Sequence, residues 1–246
     1  MALFFNDELA ASTHIEEVSQ RIAAAEAAVV TAIGDAAPKK VLWVYEYYGT
    51  LYSGSCPNYY CEAIAQAGGE IMDLSSIGDP AAWGGITNFT LFYEMAAEAD
   101  IWLYPSNNWD AVSLDADALS LLPAVMNDQV YDITGNNLCM DGDCDTANDW
   151  FESRLAEPDV LLEDLISIIM PEVHMDHGRV WFRNVATEER GSARTCSDPA
   201  SPYLFHADDV VPGAAAGAIC VEDLTGDGIV GVDDLLQLLS AYGRGC

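Results

Sequence analysis

The sequence predicts an α/β fold: a three-layer lobe with a mostly parallel sheet, preceded by a long helix and followed by a small acidic loop and helix at the C-terminus. Three observations carry this expectation. A long amphipathic stretch opens the chain, short apolar runs rich in β-branched and aromatic residues recur behind it, and helical patterns stand between those runs.

The opening helix is read from Ile15, Val18, Ile22, Ala25, Val29 and Ile33, spaced by three or four with polar residues between them. Gly34 and Pro38 end it. Val41-Leu-Trp-Val-Tyr45 follows as an apolar strand of the kind buried on both faces in a parallel sheet. Cys61 to Ala67 reads as a helix stopped by Gly68-Gly69, and Phe89 to Ala97 as another. Ile101-Trp-Leu-Tyr104 and Val130-Tyr-Asp-Ile133 are the second and third strands, and Leu155 to Ile169 is a strongly apolar helix. Arg179 to Val185 alternates as a further strand would, with little sheet expected after Asp176. The expected organisation is a long helix over 1–40, the lobe over 41–175, a strand and connecting segment over 176–219, and a separate module over 220–246. Residues 186 to 219 lack a sustained period and read as a tether.

Several stretches together resemble the class III solute-binding proteins of ABC uptake systems. They are Ala2-Leu-Phe-Phe-Asn-Asp-Glu8 leading into the long helix, Lys39-Lys-Val-Leu-Trp-Val-Tyr45, Tyr59 through Glu70, Glu98-Ala-Asp-Ile-Trp-Leu-Tyr-Pro105, and Leu122 through Ile133. The resemblance covers roughly residues 2 to 172. It implies two α/β lobes joined by a rigid helix, with an iron complex, haem or corrinoid held between them; this chain resembles the linker helix and the second lobe. Either a first lobe lies upstream as its partner, or this lobe has been put to another use with an extracellular protein partner. Ligands of open α/β sheets meet the loops at the carboxyl ends of strands. Here those loops are 46–52, Trp83-Gly-Gly and 105–109, so Glu46, Tyr47, Tyr48, Tyr52, Trp83, Asn107, Asn108 and Trp109 are the expected ligand-binding residues. The aromatics would stack on a flat ligand, and Glu46 and the asparagines would orient it. The same aromatics would also serve to cap the sheet or close an interface.

Near the C-terminus, Asp223-Leu-Thr-Gly-Asp-Gly-Ile-Val-Gly-Val-Asp-Asp234 is followed by Leu235 to Tyr242 with leucines on one face. Oxygen-bearing side chains stand at loop positions 1, 3, 5 and 12, and Gly228 at position 6 permits the tight turn. Asp223, Thr225, Asp227, the carbonyl of Ile229 and Asp234 are thus an expected Ca²⁺ site. Asp234 stands where the EF-hand pattern has a bidentate glutamate, which favours a structural ion over a signalling one. From Cys220 to Cys246 the string resembles one repeat of a dockerin type I module, which in full carries two such loops and docks on a cohesin partner. One loop leaves that docking open.

Composition narrows the function. With 40 acidic residues against 9 basic and a formal charge of −31, the chain repels phosphate backbones and anionic membranes. No nucleic acid partner and no membrane insertion are expected, since the longest apolar stretches are too short to span a bilayer. Seven cysteines suggest an oxidising, secreted or cell-surface location, with Cys56–Cys61 and Cys139–Cys144 as short local bridges and Cys220–Cys246 tying the module. Asn88-Phe-Thr90 is a glycosylation acceptor. Met1 to Phe5 runs at once into Asn6-Asp7-Glu8, which is no signal peptide, so a leader is expected to have been removed. His174 and His177, with Glu172 or Asp176, form a weaker metal candidate, because Pro171 and Gly178 suggest a turn.

Nucleophile elbows, zincin motifs, Walker loops and dinucleotide fingerprints are absent, so no enzyme is expected. Two functions are expected instead: non-catalytic capture of a small ligand, or a structural or adhesion role in a calcium-dependent extracellular assembly. A first lobe encoded upstream would favour capture; tandem copies of this unit would favour assembly.

Overall fold

The computed structural model describes residues 8–191, apart from Trp83, Asp141, Gly142, Glu152 and Asp176; for Glu8, 138–140, 143–147 and Asp149 it describes the backbone alone. The chain divides into two units, Met1–Gly191 and Ser192–Cys246. The second, with its expected calcium loop and Cys196, Cys220 and Cys246, lies outside the described residues.

The first unit is mixed α/β with a long first helix and a mostly parallel sheet. Helix α1 (Glu8–Ile33) packs Ala25 and Val29 inward, flanked by half-buried Val18, Ile22 and Ile33. Ile15, expected on the same stripe, is 65% exposed because the helix outruns the surface it covers. Strands β1 (Lys39–Tyr47), β2 (Thr50–Ser53), β3 (Gly69–Ile71), β4 (Ile101–Tyr104) and β5 (Val130–Asp132) form the sheet, with the two-residue β8 (Arg183–Asn184) at its far edge. β1 pairs in parallel with β3 on one side and β4 on the other, β4 with β5 likewise, while β2 and β8 are antiparallel. A separate hairpin, β6 (Asn137–Met140) and β7 (Asp143–Asn148), stands where the sequence reads as an acidic loop.

The sheet is the middle layer. On one face Leu42 and Val44 pack with Leu51, Phe92, Trp102 and Leu119, under helices α3 (Phe89–Ala96), α4 (Ala116–Leu119) and α5 (Pro123–Met126). On the other lie α1, α2 (Tyr59–Gln66) and α6 (Pro158–Ile169). Gly68-Gly69 marks how tightly this side closes. A Cβ on Gly68 would meet Met170 at 2.7 Å and Val29 at 3.2 Å, and one on Gly69 would meet Ile169, Ile64 and Val41 at 3.0 Å. With φ +86° at Gly68, the turn from α2 into β3 requires glycine twice over.

Two expectations shift for identifiable reasons. The loop expected over 46–52 is a hairpin: Tyr48 and Gly49 both have positive φ, 47° and 76°, so they form the two-residue turn whose twist matches paired strands. The strand expected over 179–185 shrinks to Arg183–Asn184. The N–H groups of Val180, Trp181 and Phe182 instead donate to the buried carboxylate of Asp164 on α6, at 2.7 to 3.3 Å, and are lost to any ladder.

Candidate functional site

Because strand residues alternate, Trp43 and Tyr45 project from the face of β1 opposite Leu42 and Val44, and Tyr47 follows them on the same side. Register pairs Tyr45 with Tyr52, whose rings lie 5.8 Å apart. At the start of α2, the Asn58 side chain accepts from the N–H of Tyr60 at 2.8 Å and of Cys61 at 3.1 Å, and the Cys56–Cys61 disulfide closes the turn before it. These constraints set the Tyr60 ring 4.2 Å from Trp43.

A third wall comes from the turn after β7. The Asn148 amide donates to the Ile133 carbonyl at 2.9 Å and its oxygen accepts from the Trp150 N–H at 2.8 Å, fixing Trp150 and Phe151 beside the end of β5. Behind this wall Arg154 is buried. Its guanidinium donates to the Trp150 carbonyl at 2.8 Å and the Tyr59 hydroxyl at 2.6 Å, and lies 4.6 Å from the Trp150 ring centre and 5.4 Å from that of Tyr60.

The result is a cavity of about 330 Å³ at the carboxyl ends of β1, β4 and β5. Its accessible aromatic wall is Tyr45, Tyr60 and Phe151, while Trp43 and Trp150 border it but are themselves buried, 4% and 1% exposed. Pro105, Ser106 and Asn107 after β4, and Ile133 after β5, complete it. Since β3 lies on one side of β1 and β4 on the other, the cavity sits beside the point where the sheet reverses its order, where open α/β sheets take their ligands. Among the described residues, the lining carries no carboxylate, imidazole, ammonium or thiol. Its phenols stay protonated: burial holds Tyr45 above its ordinary value, helped by Tyr52 and Tyr47, and burial and the Tyr59 hydrogen bond raise Tyr60 against the pull of Arg154. Such a surface has the chemistry to stack against and hydrogen-bond a ligand.

The residues expected from sequence fall into distinct places. Asn107 lines the cavity, and its carbonyl accepts from Arg190 at 2.8 Å. Tyr52 stands against Tyr45, and Tyr47 and Tyr48 are exposed at the hairpin tip, ring edge to ring face at 4.5 Å. Glu46 is buried on the other face, accepting from Gly49 N–H, Ser113 N–H and Ser113 Oγ at 2.6 to 3.0 Å. Asn108 accepts from the hydroxyls of Tyr104 and Ser106 and donates to the Glu46 carbonyl. The Tyr104 hydroxyl within this network is pushed up to about 12, chiefly by burial. Trp109 packs edge-on against Trp102 and Tyr104 at 5.2 Å. Trp83 lies outside the described residues. Trp43, Tyr60, Trp150, Phe151 and Arg154 were not expected; the Tyr59-Tyr60 pair at a capped helix start was the available signal.

His177 accepts or donates at 2.7 Å to Asp164 and lies 3.5 Å from Glu163, and among the described residues no His, Cys, Asp or Glu cluster has metal-ligating geometry. Asn88 is the exposed N-cap of α3. Cys139 and Cys144 sit on the two strands of the β6–β7 hairpin, with side chains outside the described residues. No described helix is long and apolar enough to cross a membrane.

No family model and no curated protein matches the chain. The neighbours among solved structures are periplasmic solute-binding proteins. One from Veillonella parvula is 15% identical over 72% of this chain and 49% of its own, with a TM-score of 0.46. A TroA-like periplasmic binding protein, FepB, from the same species is 17% identical over 72% of this chain and 56% of its own, at 0.41. An ABC transporter substrate-binding protein from Listeria monocytogenes is 14% identical over 69% and 60%, at 0.41. The chain therefore spans about half the length of the first of these. At such identities no ligand or partner passes from them to this chain.

Proposed function

We infer that the first unit is a non-catalytic binding lobe of an exported protein, taking a small ligand at the carboxyl end of its sheet. The observation that carries this is the aromatic cavity beside the switch point of the sheet, which among the described residues has an uncharged lining and no paired nucleophile and base. An iron complex, haem or corrinoid is the ligand class implied by the resemblance to class III solute-binding proteins, and a first lobe would supply the opposite wall. A Ca²⁺ held by Asp223, Thr225, Asp227, the carbonyl of Ile229 and Asp234 belongs to the same reading; the donor set is all oxygen, as a hard cation requires.

Trp43 and Trp150 line the cavity, so intrinsic fluorescence reports on it. Titration of the full chain with haem, a cobalamin, a ferric siderophore and neutral oligosaccharides is expected to give saturable quenching by at least one of them, lost in Trp150→Leu. Quenching by none would favour the second reading, in which exposed Tyr47 and Tyr48 close an interface in an extracellular assembly.

A further inference from the structure

Among the described residues, four aromatic side chains are exposed: Tyr47 at 59%, Tyr48 at 90%, Tyr59 at 44% and Phe151 at 59%. All four lie on the first unit, at the cavity or at the hairpin tip beside it. Phe151 lines the cavity, Tyr59 touches the cavity's Tyr60 with ring centres 3.9 Å apart, and Tyr47 and Tyr48 crown the hairpin whose β1 strand carries Trp43 and Tyr45 into it. An exposed aromatic cluster continuous with a cavity marks a surface made to be covered. The backbone supports the same reading, because Tyr48 holds a left-handed φ of 47° that asparagine or glycine adopts at less cost.

The shape of this surface restricts its occupant. Same-face residues on a strand stand about 7 Å apart, so Tyr45 and Tyr47 lead from the cavity, above the buried Trp43, to the hairpin tip as a track of accessible rings. A cavity of about 330 Å³ is at the small end for ligand sites, so a longer ligand must continue along the track. The rings do not share a plane. Trp43 and Tyr60 are inclined by 32°, Tyr45 and Tyr52 by 30°, Tyr47 and Tyr48 by 79°. A wide rigid conjugated ligand would lie flat on one ring and stand off the next. A chain of ring units joined by rotatable bonds turns from one ring to another.

Charge removes further candidates. In a chain with 40 acids and 9 bases, a nine-residue lining with neither is a marked exception. An anionic ligand would meet the −31 field without a cation in the lining to receive it. A cationic one would share the faces of Trp150 and Tyr60 with the guanidinium of Arg154 already seated behind them. Phenol hydroxyls, Ser106 and Asn107 are neutral donors and acceptors spread along the same path.

We propose that the aromatic cavity and the exposed hairpin tyrosines form one track for a neutral oligosaccharide, whose sugar rings stack by their C–H faces on successive side chains while their hydroxyls remain hydrogen-bonded to phenols, amide and water. The proposal rests on reading the cavity as the binding site. Cellohexaose and maltohexaose, their disaccharides, and acidic (galacturonate) and cationic (glucosamine) hexamers are titrated into the full chain by tryptophan fluorescence and calorimetry. A neutral hexamer is expected to bind about tenfold tighter than its disaccharide and than either charged hexamer. Tyr47→Ala combined with Tyr48→Ala, both at an exposed tip, should bring the hexamer down to the disaccharide's affinity and leave the disaccharide unchanged, whereas Trp150→Leu should abolish both. Binding of neither neutral series, stronger binding of a charged hexamer, or a hexamer indifferent to the tyrosine pair overturns the proposal. If saccharides fail while haem or a cobalamin quenches in a Trp150-dependent way, the binding lobe stands and the saccharide falls; if no probe depends on Trp150, both fall.

Discussion

Asp164 is fully buried on α6, yet its two oxygens accept from three consecutive backbone N–H groups and contact His177. These bonds satisfy the carboxylate in the absence of bulk water, and removing it orphans every donor at once. Asp164→Ala is expected to lower unfolding free energy by about 3 kcal/mol, read from urea denaturation at neutral pH. His177 adds a pH dependence. Burial opposes its charged form, but the hydrogen bond to Asp164 and the charges of Asp164 and Glu163 outweigh that and the opposing Arg179, so its value is raised above the usual 6.5. The unfolded chain releases that proton first as pH rises. The stabilisation is therefore full below about 6.5 and disappears as pH climbs through the raised folded value. Urea midpoints should fall between pH 6 and pH 8.5, and His177→Gln should flatten that fall; an identical slope in the variant would place the titration elsewhere.

At the scale of elements, the N-terminus of α2 shows how local chemistry places a wall of the site. Asn58 caps the helix, and the Cys56–Cys61 bridge encloses the turn that delivers Tyr59 and Tyr60. Closing so short a loop limits the unfolded chain by about 2 kcal/mol. Cys56→Ser with Cys61→Ser is expected to lose about that much in chemical denaturation, and to weaken any Trp150-dependent ligand, because Tyr60 then loses its fixed seat against Trp43. Peptide mapping without reductant should recover the 56–61 link and a Cys139–Cys144 link. Parallel strands and long helices were legible here because uninterrupted runs such as Val41 to Val44 and the period of α1 have single interpretations. The hairpin turn was not. Tyr48-Gly49 lacks the asparagine or aspartate that advertises such turns, and the alternation of Tyr45, Tyr47, Thr50 and Tyr52 has the same composition as an aromatic binding loop.

At the scale of the whole molecule, charge and calcium are linked. Repulsion within a chain of net −31 is strongest where acids crowd, and residues 223–234 hold Asp223, Asp227, Asp233 and Asp234. Calorimetry is expected to show binding of Ca²⁺ to the chelated chain, weakened severalfold or more by Asp227→Asn, while the thermal transition of the α/β lobe stays in place. A flat titration of the intact chain would leave an acidic turn. The described basic residues are mostly committed to the lobe: Arg21 to Asp159, Arg179 to Glu188, Arg183 to Asp132, and Arg190 to Asp110.

The sequence by itself determined the class of the first unit, its long helix and its buried parallel strands, and it made the strand ends the candidate binding side, because periodicity and apolar runs are local properties. Tertiary structure decided which side chains meet there. Trp43, Tyr60 and Trp150 lie apart in the chain, and their convergence depends on Asn148 and Arg154 making bonds to residues brought near by the fold, while Asn58 caps the helix locally. Glu46 and Asn108, adjacent in the same loops, were turned instead to holding those loops together. Alternation puts neighbouring residues of one strand on opposite faces, and only the position of the cavity distinguishes the face of the candidate site.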